Sequence, residues 1–156
     1  MIGFLVYLTS WRNSVIGRAI DRAYRVAKER GWDRIYWALD LHGTCIESNY
    51  IGGEYDWITP ECGQVLRQLD EFPETFLIAW SSLYPSDKRG IDQFFAINGV
   101  ELYAINKNPL EQNTKTGCFD EKFYMSIIVD DKAGFCPSEW PSVLQTVREC
   151  REKYGF

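Results

Sequence analysis

The stretch Asp33 to Ser48, reading DRIYWALDLHGTCIES, constrains the fold of this chain more than any other. A run with strand character, Arg34 to Leu39, stops at a carboxylate, Asp40, and passes into the turn-forming His42-Gly43-Thr44. An apolar run that does not alternate, and that ends abruptly at an acid and a glycine, is the pattern of a parallel strand buried on both faces whose C-terminal end opens on a site. The pattern recurs. Thr75 to Trp80 ends at Ser81-Ser82, Phe123 to Val129 ends at the doubled acid Asp130-Asp131, and Glu101 to Ile105 forms a shorter third strand between them.

Amphipathic segments separate these runs. With Asn13 or Ser14 as cap, Val15, Ile16, Ala19, Ile20, Ala23, Val26 and Ala27 recur at three and four residues, and the helix ends near Gly31. Thr59-Pro60-Glu61 opens a second helix with a cap, a first-turn proline and an acid at the positive end of the dipole. Val65, Leu66, Leu69 and Phe72 are its buried stripe, and Pro73 stops it. A third begins at Tyr84-Pro85-Ser86-Asp87, turns Ile91, Phe94 and Phe95 inward and closes at Asn98-Gly99; a fourth starts at Ser138, buries Val143, Leu144 and Val147 and ends at Gly155. Alternation of this kind predicts an α/β fold: a three-layer, Rossmann-like parallel sheet flanked by helices, with its site at the C-terminal edge. One domain spans 1–156, divided into an N-terminal arm and helix (1–31), a motif-bearing core (33–135) and a C-terminal helix (138–155).

Composition narrows the function classes. A chain of 156 residues with 46% apolar content can bury a sizeable core. A net charge of -5 disfavours long nucleic acid as a partner, although it leaves room for a local basic pocket. Five cysteines, none in a Cys-x-x-Cys pair, indicate neither a zinc ribbon nor a disulfide framework and read as reduced thiols of a cytoplasmic protein. The apolar Ile2 to Leu8 run is far shorter than the ~20 residues of a membrane span, so no membrane partner is expected. Met1 to Trp11 reads as a packing arm, with a membrane-surface contact as the alternative. The basic residues Arg12, Arg18, Arg22, Arg25, Lys28 and Arg30 read as a solvated helix face, with a phosphate-facing surface as the alternative. Asn49 to Trp57 suggests a flap over the strand end, in which Tyr50, Tyr55 and Trp57 could stack on a base or sugar, whereas Trp37, Trp80 and Phe94 read as core.

If the strands are parallel neighbours, Asp40, Ser81 and Asp130-Asp131 emerge together. Carboxylates at that density call for a cation, and an all-oxygen set without a cysteine or histidine pair favours Mg²⁺. A carboxylate beside Mg²⁺ can act as a nucleophile toward a phosphoryl group. Lys122 would balance charge, with Lys115 as its alternative, and the Ser81 hydroxyl, or that of Ser82, would hold phosphoryl oxygens with nearby backbone amides. Taken singly, Asp40 or Asp130 reads as an ordinary turn or cap residue; their joint occurrence in order carries the argument.

The order Asp-x-His-Gly-Thr after an apolar strand (Asp40 to Thr44), a serine after the next (Ser81), a lysine (Lys122) and a strand ending Asp130-Asp131 resembles the four motifs of the haloacid dehalogenase superfamily, mostly Mg²⁺-dependent phosphatases. The resemblance runs from about Asp33 to Phe135. It implies a phosphomonoester hydrolase acting through an aspartyl-phosphate on Asp40. Ser81 and Ser82, with Gly43 and Thr44, would bind phosphate, Lys122 would stabilise charge, and Asp40, Asp130, Asp131 and the main-chain carbonyl of His42 would bind the metal. The short span between Thr44 and Pro60 implies no large cap domain, and hence an exposed substrate: a nucleotide, a sugar phosphate or a nucleic-acid end.

His42, the one histidine of the chain, departs from that pattern. Superfamily phosphatases carry a second aspartate there as general acid and base. Histidine, with an unperturbed pKa near ~6.5, suits the same work at neutral pH. It also suits a structural turn, and an imidazolium beside a bound cation is disfavoured. Two functions therefore follow: a phosphatase that uses His42, or a binding or regulatory module that keeps Mg²⁺ and phosphate affinity with little turnover.

Overall fold

In the computed structural model, residues 13–48 and 54–156 are described, and their element order is that of a parallel α/β fold. The helices are α1 (Val15–Arg30), α2 (Pro60–Asp70), α3 (Lys88–Ile97) and α4 (Trp140–Tyr154); the strands are β1 (Ile35–Leu39), β2 (Thr75–Ala79), β3 (Ala104–Ile105) and β4 (Ile127–Val129). The sheet order is β3-β2-β1-β4, every pair is parallel, and no large cap interrupts it among the described residues. None of the described helices is long and apolar enough to cross a membrane. The expected arm Met1 to Trp11, Arg12 and Tyr50 of the flap lie outside the described residues.

Local chemistry sets the helix ends. The Ser14 hydroxyl accepts from the Gly17 N–H at 3.0 Å, and Gly31 closes α1 with φ of 67°, a left-handed conformation natural to glycine. Thr59 caps α2 in the same way. All five residues of β1 are buried, which is why this strand reads as a continuous apolar run.

The two faces of the sheet are covered differently. On one, Ile35, Trp37, Leu39, Leu77 and Ala79 share a core with residues from all four helices. On the other, Tyr36, Ala38, Ile78 and Ala104 cluster with Phe123, and among the described residues no helix joins them; Tyr124, Met125, Phe76, Trp80 and Tyr103 are partly buried around them. The third layer is thus an aromatic one, and its rings touch at centroid distances of 5.1 Å (Trp80–Phe123) and 6.0 Å (Tyr36–Tyr124).

This layer corrects one boundary. The expected strand Phe123–Val129 pairs only over Ile127–Val129, because residues 123–125 cross the sheet face instead of extending its edge. An apolar run has the same appearance in either role. Likewise the third strand narrows to Ala104–Ile105, a turn of 3₁₀ helix at Pro85–Asp87 precedes α3, and another at Pro137–Glu139 precedes α4, each with a proline in its first turn. Within α1, Val15 is exposed and Tyr24 is buried in its stead, its hydroxyl satisfied by Glu74 at 2.9 Å.

Candidate functional site

Strand register brings the acids together. Leu39 lies opposite Val129, and the Asp40 N–H donates to the Val129 carbonyl at 2.9 Å, so Asp40 and Asp130 leave neighbouring strands side by side. Asp131 follows at the start of a 3₁₀ turn over Asp131–Ala133. Carboxylate oxygens of Asp40, Asp130 and Asp131 all fall within 4.8 Å of one another. Asp40 and Asp130 are half-buried and Asp131 is exposed, so the cluster opens to solvent on one side.

The turn after β1 is built to hold this cluster. The Leu41 carbonyl accepts from the N–H groups of Thr44, Cys45 and Ile46, and the Gly43 N–H returns to the Ile46 carbonyl at 2.9 Å. Gly43 has φ of 87°, and a Cβ there would stand 3.4 Å from the Asp131 carboxylate; glycine meets both conditions. Thr44 is fully buried. Its hydroxyl donates to Asp40 Oδ2 at 2.9 Å and accepts from the Asp131 N–H at 3.0 Å, and its carbonyl accepts from the Trp140 indole at 3.0 Å. Thr44 therefore positions the acids from within, its hydroxyl already committed to them.

Burial raises Asp40 above the ordinary carboxylate value, and the charges of Asp130 and Asp131 add to the rise; hydrogen bonds from Thr44 and the Leu41 N–H oppose it. A carboxylate so placed gains from a cation. Three carboxylates make an all-oxygen donor set of the kind that suits a hard divalent ion.

The remaining residues from the sequence reading fall in a wider ring. The Trp80 backbone N–H donates to the Leu39 carbonyl at 2.7 Å, which sets Trp80 beside Asp40 just past β2 and Ser81 one residue beyond it. Ser81 is half-buried and Ser82 exposed. Lys122 is exposed and forms no salt bridge with the three acids, while Phe123 beside it packs on Trp80. Lys115 is exposed in the 106–117 loop, and His42, half-buried, pairs through its backbone with Ile46.

The described part of the flap, residues 54–58, forms a small hairpin-like return whose Tyr55 and Trp57 pack inward. Residues 54–58 return along 45–47, with the Glu47 N–H donating to the Asp56 carbonyl and the Ile58 N–H to the Cys45 carbonyl. Trp57 then packs on Phe94 and Phe95 at 4.8 and 5.1 Å, and Tyr55 on Phe94 at 5.9 Å. Both rings contribute to the core that seats α3, which accounts for their burial without a ligand.

Two further residues at the site are not singled out by the sequence reading. Asn106, at φ of 55°, accepts from the Ser81 N–H and donates to the Ser81 carbonyl, fixing that backbone at both ends. Its only local hint is the left-handed tolerance of asparagine. Trp140 reaches Thr44 across 96 positions of sequence.

Comparison with known proteins yields no matching family and no matching curated protein. Among solved structures, the fold is similar to that of a conserved protein coded by a locus of Bacteroides thetaiotaomicron, with a TM-score of 0.60 and 23% identity over 74% of this chain and 91% of that one. The likeness shows the fold alone.

Proposed function

We propose that this chain is a Mg²⁺-dependent phosphomonoester hydrolase of the haloacid dehalogenase type, with Asp40 as nucleophile. The observation that carries the reading is the convergence of Asp40, Asp130 and Asp131 at one strand edge, oxygens within 4.8 Å, beside a turn whose left-handed backbone at residue 43 favours glycine. Asp40, Asp130 and Asp131, with the main-chain carbonyl of His42, would hold the ion. Bound Mg²⁺ supplies charge neutralisation for carboxylate and phosphoryl oxygens.

Asp40, oriented by the Thr44 hydroxyl, attacks phosphorus as the ester P–O bond breaks. The departing oxygen takes a proton from His42 and leaves as an alcohol. Water, giving a proton back to His42, then attacks the aspartyl-phosphate and releases inorganic phosphate. Ser81, held by Asn106, would receive phosphoryl oxygens, and Lys122 would offset their charge. Without a large cap, an exposed phosphate such as a nucleotide, a sugar phosphate or a nucleic-acid end suits the site.

The second reading, a module that binds Mg²⁺ and phosphate with little turnover, rests on His42 standing where superfamily phosphatases keep an aspartate. A panel of phosphomonoesters that includes 3′- and 5′-phosphorylated oligonucleotides decides between them, assayed with Mg²⁺ or EDTA on the wild type and Asp40→Asn. Phosphate release that needs Mg²⁺ and vanishes in the variant establishes the hydrolase. Mg²⁺ binding without release from any ester favours the module.

A further inference from the structure

The basic residues of α1 divide into two groups. Arg25 pairs with Glu29 at 2.9 Å and belongs to the solvated face. Arg22 and Arg30 instead line a cavity of about 230 Å³ together with Arg34, at the N-terminal end of β1. Ala23 and Ala27 form part of its wall, their small side chains leaving the space open, and Trp32 and Tyr124 stand at its sides. Among the described residues, neither Arg22 nor Arg30 has a carboxylate within salt-bridge distance; Arg34 has Asp33 at 3.9 Å, an acid whose side chain is 91% exposed. Glu111, whose charge also reaches Arg34 and Tyr124, is engaged by the Tyr36 hydroxyl at 2.9 Å. In a chain of net charge -5, Arg22 and Arg30 without an acid partner, beside Arg34, whose guanidinium bonds to the Tyr36 hydroxyl, make the cavity a local anion-binding feature.

The walls narrow the class of anion. Guanidinium forks match phosphate oxygens in pairs, and three of them suit more than one phosphate or one polyanionic group. The Arg30 guanidinium lies 4.9 Å from the centre of the Trp32 ring, and Trp32 meets Tyr124 edge to face at 6.0 Å, an aromatic corner that a planar ring can join. At about 230 Å³ the cavity is smaller than most enclosed ligand pockets, so a small ligand would sit partly in it and partly in solvent, and a peptide or duplex would not enter. The place is separate from the acid cluster. Arg34 precedes the first residue of β1, whereas Asp40 follows the last; six residue steps at a strand rise of ~3.3 Å put these two residues roughly 20 Å apart. We propose that this cavity binds a nucleoside phosphate, its phosphates on Arg22, Arg30 and Arg34 and its base against Trp32 and Tyr124. The proposal is independent of the hydrolase reading.

Calorimetric titration of the full chain with ADP, in EDTA and at low salt, tests it. ADP binds the wild type and Asp40→Asn alike; Arg22→Ala and Arg30→Ala each weaken it tenfold or more, and Arg18→Ala, on the same helix but outside the cavity, does not. Pyrophosphate binds at least tenfold more weakly than ADP, and adenosine gives no heat. Because Arg22 and Arg30 are exposed, their variants should melt with the wild type, and a melting scan checks this. Four results overturn the proposal: no heat with ADP at millimolar concentration, ADP affinity unchanged in both arginine variants, pyrophosphate binding as tightly as ADP, or a single-stranded oligonucleotide displacing ADP at far lower concentration.

Discussion

Thr44 joins the two ends of the acid cluster: its hydroxyl donates to the carboxylate of Asp40 and accepts from the backbone N–H of Asp131, 87 positions away. Replacing it with valine keeps the volume and removes both bonds, leaving the Asp131 N–H without its partner. A loss of about 1–3 kcal/mol follows from such an orphaned group. Thr44→Val should show it as a lower urea midpoint with an unchanged slope, and Thr44→Ser should recover most of it. A valine variant as stable as the wild type would mean that the hydroxyl bridge contributes nothing.

Asp40 makes the metal-free protein less stable than it need be. Its folded-state pKa is raised, so the stability linked to its proton is present below the ordinary value of 3.8 and is lost as pH climbs through the raised one. Asp40→Asn keeps an acceptor for Thr44 and removes the charge. In EDTA it should therefore be more stable than the wild type at neutral pH, by up to about 1 kcal/mol given the partial exposure of the site, with the gap closing toward pH 3.8. Adding Mg²⁺ should reverse the order: at 100 times the dissociation constant, ligation is worth about 2.7 kcal/mol to the wild type and far less to the variant. Melting scans across pH, with and without Mg²⁺, read both effects.

What the sequence reveals here depends on the range of the interaction. β1 is legible because burial on both faces leaves an unbroken apolar run, and Asp40 and Asp130-Asp131 are legible because strands in a parallel sheet deliver their C-terminal residues to one edge. The start of β4 is not, since Phe123, Tyr124 and Met125 would be equally apolar in a strand or lying across one. Trp57 in a glycine-rich flap looks free to stack on a ligand, and only tertiary packing reveals Phe94 and Phe95 beneath it. Asn106 and Trp140 act through contacts 25 and 96 positions distant, to which no local period corresponds.

Asn106 holds Ser81 by two hydrogen bonds from a left-handed backbone, so two substitutions separate its contributions. Asn106→Gly keeps the conformation and loses the clamp; Asn106→Ala loses both and should be the less stable by about 1 kcal/mol. If Ser81 binds phosphate, both should raise KM for a phosphomonoester severalfold with a smaller change in kcat. Equal KM values in all three proteins would remove Asn106 from the site.

At the opposite sheet edge, the buried Glu74 accepts from the Tyr24 hydroxyl at 2.9 Å and from Arg151 Nε at 2.7 Å, and Arg151 also covers the Phe72 ring. Removing the acid leaves a half-buried guanidinium and a buried phenol without their acceptor. Glu74→Ala should cost about 3 kcal/mol in denaturant unfolding while the Mg²⁺-dependent rise in melting temperature keeps its size. A fall in that rise would couple the two edges.

His42 separates the hydrolase from the module, because it alone departs from the resemblance while Asp40, Thr44, Asp130 and Asp131 stand together. If it moves the proton, His42→Asn should bind Mg²⁺ as the wild type does, by the same melting shift, yet lose 10²–10⁴-fold in kcat, roughly what a positioned acid-base group contributes. His42→Asp should then recover part of the rate with the pH optimum moved downward, since a carboxylic acid gives up its proton at lower pH than an imidazolium. The module predicts the opposite order: an already slow wild type, little loss in His42→Asn, and a gain in His42→Asp. Turnover of the three proteins on one substrate, measured across pH, distinguishes the two orders by sign.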